Sequence, residues 1–116
     1  MHKIIISFYP PLEHGHDHFQ VSWQKFMGLA EKMPKLRRET VSDVQKYVFA
    51  HAHRYGKIHE LYFDTRADLD AALNSPEGQA AGRWLHEFTV GRFSLVIAEH
   101  KEALPEEFVR KEKDAD

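Results

Sequence analysis

Residues 59–88 read HELYFDTRADLDAALNSPEGQAAGRWLHEF, and this stretch decides the fold. It opens on His59-Glu60-Leu61-Tyr62-Phe63, whose apolar and aromatic content reads as a strand. Thr65 then offers an N-cap, with Asp68 completing Thr-x-x-Asp, and Leu69, Ala72 and Leu73 fall on the inward face of a helix. Ser75-Pro76-Glu77 starts another helix at once, with serine as cap and proline at the first helical position. Ala80, Ala81, Trp84, Leu85 and Phe88 give that helix its apolar stripe. The unit is a strand followed by a helical segment broken in two.

The flanking sequence repeats the alternation. Residues 3–9 are β-branched and aromatic, and Pro10-Pro11 stops them. After a loop over 10–16, Asp17 is expected to cap a helix over 17–33, with Gln20 as its capping-box partner. Phe19, Trp23, Phe26, Met27, Ala30 and Met33 form its apolar stripe, and Pro34 ends it. Residues 36–44 have strand composition but weak alternation, as an edge strand does, and residues 45–54 are expected to extend it or to form a hairpin arm before a turn at Gly56. Gly91 ends the last long helix, and residues 92–98 form the fourth strand. The predicted order is β-α-β-β-α-β, an α+β, ferredoxin-like pattern with an antiparallel sheet. Its helices cover one sheet face. The other face needs a partner, most simply a second copy related by two-fold symmetry, which predicts a homodimer. Residues 1–100 are read as the domain and 101–116 as a charged tail, within which 104–109 is expected to form a short docked helix.

The 116 residues suit one domain, which buries roughly two-thirds of its unfolded surface. Cysteine is absent, so disulfides, thiolate metal sites and cysteine nucleophiles are excluded. Sixteen Lys and Arg against eighteen Asp and Glu leave no basic field for nucleic acid. The opening residues lack the long apolar run and cleavage site of a signal peptide, and their apolar stretch is too short for a bilayer. The expectation is a cytoplasmic protein with no membrane partner.

Several segments, taken in order, resemble the EthD-like family of dimeric α+β barrels. Met33-Pro34-Lys35-Leu36-Arg37-Arg38 is similar to that family's Pro-Gly-Leu-Arg-Arg step, Glu60-Leu61-Tyr62-Phe63-Asp64-Thr65 to its third strand, and Leu95-Val96-Ile97-Ala98-Glu99 to its last strand. Ser75-Pro76-Glu77-Gly78-Gln79-Ala80 matches its most recognisable run. The likeness spans residues 3–99. It implies a homodimeric barrel whose relatives degrade or rearrange small organic molecules, among them isomerases, cyclases and cofactor-free monooxygenases. No Gly-rich dinucleotide loop supports a reductase, and no organic cofactor is expected. Three positions depart from the pattern. Phe26 stands where the family often has a helix-one histidine, Trp84 where it has an acidic residue, and Lys35 where it has glycine.

Candidate chemistry lies between helix one and the sheet. Alternation puts His59 on the face of Leu61 and Phe63, toward the helices, and Glu60, Tyr62 and Asp64 on the other face. Periodicity leaves open which set of strand two faces the helices. If Glu39 does, it can share a pocket with His59, roofed by Trp23, Phe26 and Trp84, in which a carboxylate and an imidazole form an acid–base pair. His51 and His53, two apart, are further acid–base candidates at the pocket mouth. His14, His16 and His18 carry imidazoles beside Glu13 and Asp17, ligand chemistry for a transition metal if the loop converges. Three functions follow: a small-molecule enzyme without organic cofactor, of isomerase, cyclase, decarboxylase or monooxygenase type; a non-catalytic binding or accessory protein in which Phe26 has replaced a working histidine; or a metal-binding protein using the histidine loop.

Overall fold

Strand-forming residues in four places build β1 (His2–Phe8), β2 (Arg38–Asp43), β3 (Lys57–Phe63) and β4 (Phe93–Glu99), and the amphipathic stretches between them build α1 (Gly15–Ala30), α2 (Arg66–Asn74) and α3 (Pro76–Thr89). The computed structural model describes residues 1–9, 15–49 and 54–108, with side chains omitted for 15–17. The strands form one antiparallel sheet in the order β2-β3-β1-β4, so the chain crosses from β1 to β2 past β3 and from β3 to β4 past β1, in the ferredoxin-like manner. Among the described residues no helix is long and apolar enough to cross a membrane.

One sheet face carries the core. Ile4, Ile6 and Phe8 of β1 and Leu61 and Phe63 of β3 are buried against Trp23, Phe26 and Ala30 of α1, Leu69 and Ala72 of α2, and Ala81 and Leu85 of α3. Phe8 stands at the centre, its ring 5.8 Å from Phe19, 6.2 Å from Phe26 and 6.1 Å from Phe88. The helix layer thins over the edge strands, where Val41, Leu95 and Ile97 remain exposed in the rows that contain His59, Ile6 and Ile4. The opposite face carries no helix among the described residues. There Lys3 pairs with Glu60 at 2.8 Å, and the Arg38 guanidinium lies 4.2 Å from the centre of the Tyr62 ring. Residues after β4 cross the end of that face: the His100 ring meets Tyr62 edge-on at 4.9 Å, and Glu102 accepts from Arg38 at 3.2 Å.

Several boundaries differ from expectation. The first helix begins at Gly15, so Asp17 lies inside it rather than at its cap, and it ends at Ala30 before turn structure leads to Pro34. The second strand stops at Asp43. Beyond it Val44 adds one backbone bond to Gly56, and the Tyr47 hydroxyl donates to the Tyr55 carbonyl in place of further strand pairing. Of the expected helix over 104–109, the described residues form a 3₁₀ turn, Pro105–Glu107, followed by helical backbone at Phe108; Leu104 and Phe108 are exposed, and residue 109 lies outside the described residues.

The Ser-Pro-Glu-Gly-Gln-Ala run is an architectural corner. Ser75 Oγ accepts from Gly78 N at 3.0 Å and donates to Ala72 O at 2.6 Å, while Gln79 Nε2 donates to Leu73 O at 3.0 Å. These bonds satisfy the last carbonyls of α2 and the first amides of α3 at the same point. Gly78 is required by closeness: a Cβ there would lie 2.1 Å from Ala72 O. Gly78→Ala is expected to cost about 2 kcal/mol or more, read as a lower urea midpoint with an unchanged slope.

Two non-glycine residues adopt left-handed backbone, Lys35 at φ 64° and Val90 at φ 53°. The first explains why glycine suits the Pro-Gly-Leu step. The second is a β-branched residue at the α3 C-cap with its side chain in solvent. Val90→Gly is expected to raise stability by about 1 kcal/mol in the same urea titration, since it removes backbone strain and no packing.

Candidate functional site

β3 puts its odd-numbered residues under the helices, so Lys57 and His59 are buried in the same row as Leu61 and Phe63. His59 is 0% exposed. Trp23 and Phe26 from successive turns of α1 meet its ring edge-on, each with centroids 5.7 Å away. A buried imidazole needs a polar partner, and β2 supplies it: Glu39 Oε2 lies 2.7 Å from His59 Nε2. Glu39 therefore belongs to the helix-side set of β2, which period two alone leaves undecided.

Burial pushes His59 down to about 4; the negative charge of Glu31 opposes this and the Lys57 ammonium adds to it. The ring is neutral at pH 7. A carboxylate only accepts, so the ring proton sits on Nε2 and the lone pair on Nδ1. Nδ1 is buried and has no hydrogen-bond partner among the described residues. This is the form a general base takes when a carboxylate fixes its tautomer.

Two further groups complete the site. Glu31 is held above the usual carboxylate range, first by a hydrogen bond with Glu39 and then by burial and the charge of Glu39. Lys57 Nζ bonds Asp43 Oδ1 at 2.7 Å and lies 4.0 Å over the Trp23 ring. The sequence reading missed Glu31. Its signal was spacing: Glu31 N bonds Met27 O at 2.9 Å, so the helical turn carries on past Ala30 and sets Trp23, Met27 and Glu31 four apart on one face.

The other candidate residues are placed differently. Trp84 is committed to the seam between α1 and α3, not to a roof over His59. Its Nε1 donates to Ser22 O at 2.9 Å, its ring stacks on Phe88 at 5.7 Å, and Lys25 Nζ covers it at 3.9 Å. Phe26, at the position of the expected histidine, stands directly against His59. His51, His53 and His14 lie outside the described residues. The expected loop of histidines is partly helical, since His16 and His18 fall within α1. Among the described residues no group of three His, Cys, Asp or Glu could hold a metal.

The depressed folded value of His59 means that the unfolded chain binds a proton at a higher pH than the native one. Stability from this group is complete above about pH 6.5 and is lost as pH falls toward 4. The loss is expected to be about 3 kcal/mol, flattened in His59→Phe, as read from urea titrations across that range. Nitrogen NMR at pH 7 should find the proton on Nε2.

No protein-family model matches the chain, and no curated protein matches it in sequence. Solved structures do match. An ethyl tert-butyl ether D (EthD) family protein from Bacillus halodurans superposes with a TM-score of 0.77 at 24% identity, over 87% of this chain and 99% of that one. A dimeric ferredoxin-like protein of unknown function from Jannaschia gives 0.63 at 22% identity, over 85% and 98%. SnoaB, a cofactor-independent oxygenase from Streptomyces nogalater, gives 0.64 at 12% identity, over 90% and 96%. The chain thus has a ferredoxin-like fold, shared with an EthD family protein and with a dimeric ferredoxin-like protein.

Proposed function

We propose that this chain is a homodimeric small-molecule enzyme that works by acid–base chemistry between the sheet and α1, with His59 as the base, Glu39 as the group that orients it, and no organic cofactor. The observation that carries this reading is the 2.7 Å His59–Glu39 pair, which leaves Nδ1 without a partner among the described residues, in a ring that Trp23 and Phe26 meet edge-on. Burial opposes an imidazolium here, so the ring is suited to change tautomer rather than charge. Nδ1 takes a proton from the substrate while Nε2 gives its own to Glu39. Glu31, exposed just past the end of α1 and held above the usual carboxylate range by the nearby Glu39, would relay a proton between that carboxylate and water. One proton enters and one leaves, and the reverse passage returns it to another atom of the substrate. This is the requirement of an isomerisation or cyclisation. The fold shared with a cofactor-independent oxygenase is compatible with small-molecule chemistry of this kind.

Homodimerisation is supported by the helix-free face, where Ile5 and Ile58 are half-buried and Val96 is exposed on the edge strand, and by structural neighbours described as dimeric. A binding protein without turnover is the second reading, favoured by Phe26 in the place of the expected histidine.

Native mass spectrometry of untagged protein tests both assembly and ligand: a dimer carrying an organic mass is expected. Incubating that ligand with the protein in D₂O should exchange one of its hydrogens, and Glu39→Gln or His59→Phe should slow the exchange about a hundredfold or more. Binding without exchange in the native protein would leave the binding reading in its place, and a monomer would remove the dimer.

A further inference from the structure

Three buried side-chain polar atoms lack partners among the described residues, His2 Nδ1, Trp23 Nε1 and His59 Nδ1, and the last two belong to rings in contact. His59 Nδ1 is an acceptor and Trp23 Nε1 a donor; both are inaccessible and neither makes a hydrogen bond among the described residues. Their rings stand edge-on with centroids 5.7 Å apart, and His59 is 0% and Trp23 7% exposed. Leaving both groups unsatisfied costs on the order of 1–3 kcal/mol each, so the pair favours a molecule that answers both. The other tryptophan is the internal contrast. Trp84 has its indole N–H on the Ser22 carbonyl at 2.9 Å and has nothing to offer a ligand.

Opposite polarity defines what fits. The ligand atom must accept from an indole N–H and donate to an imidazole lone pair. A hydroxyl oxygen does both, and two hydrogen bonds of about 2.9 Å meeting on one oxygen bridge groups up to roughly 6 Å apart. An ether or carbonyl satisfies only the indole, an ammonium only the imidazole. The surroundings set the rest of the molecule: Phe26 stands against the imidazole, and Lys57, over the Trp23 ring at 4.0 Å, favours electron density on the bound oxygen.

We infer that Trp23 Nε1 and His59 Nδ1 form a two-pole subsite for a hydroxyl group carried on a small apolar body, of phenol or enol type. This deepens the acid–base reading and rests on it for what happens next, since the same hydroxyl hydrogen bond aligns a proton with Nδ1. The subsite itself is a binding claim and is tested without turnover.

The test uses phenol and toluene, which have nearly the same shape, on the full native chain labelled with nitrogen-15. Phenol should shift the Trp23 indole N–H resonance and leave that of Trp84 in place; toluene should shift neither by hydrogen bonding. Phenol should bind about tenfold or more tightly than toluene, a preference that Trp23→Phe, which keeps an aromatic body but removes the N–H, largely abolishes. Equal affinity for the two probes, absence of phenol binding, or movement of both indoles alike would overturn the inference. Deuterium exchange of a bound substrate is a separate readout. Its failure beside an intact hydroxyl preference would remove the acid–base role of His59 and keep the subsite.

Discussion

An imidazole cannot be placed under a layer of aromatic side chains without something to hold its proton, and the short His59–Glu39 hydrogen bond meets that demand. Much of the site follows from it. The bond draws Glu39 inward from an edge strand whose other residues are largely wet, fixes the tautomer of His59, and leaves the remaining ring nitrogen buried without a partner among the described residues. It also sets Glu39 near enough to Glu31, just past the end of α1, to hold the Glu31 carboxyl above the usual range. Satisfying one buried polar group thus gathers ionisable side chains from β2 and the end of α1 around one buried ring.

The rest of the fold keeps that arrangement rigid. Phe8, in the core of the sheet, packs on aromatic rings from α1 and α3, which holds Trp23 and Phe26 at their distance from the strand below. Trp84 ties α3 to the backbone of α1 through Ser22. The corner at Ser75–Gln79 lets α2 and α3 approach closely enough to share capping groups. Its characteristic residues act on helix geometry and lie away from His59. A run that stands out in sequence therefore marks the architecture, while the groups with chemical potential come from isolated positions on three other elements.

How much was legible in the chain differs by element. The caps at Thr65 and Ser75 are local devices, complete within four residues, and they stand as read. The inward set of β3 was legible because Leu61 and Phe63 share its parity with His59. The set of β2 was not, since Arg37, Glu39 and Val41 are no more apolar as a group than their alternates; only pairing with β3 decides it. Glu31 shares the helical spacing of Trp23 and Met27, but that spacing does not reveal its neighbour, because Glu39 is eight residues away in sequence on a different element. Trp84 was read as part of a site because an aromatic residue on an apolar stripe looks the same whether it lines a pocket or seals two helices.

By itself the sequence determined the order of strands and helices, the two capped helix starts and the face of β3 that carries His59, because these depend on periodicity and on contacts within a turn. Only the tertiary structure decided that Glu39 meets His59, that Glu31 lies near them, and that Trp23 Nε1 and His59 Nδ1 are buried without partners among the described residues. Those facts depend on which edge of β3 receives β2 and on how α1 lies across the sheet, quantities set by packing between residues far apart in the chain.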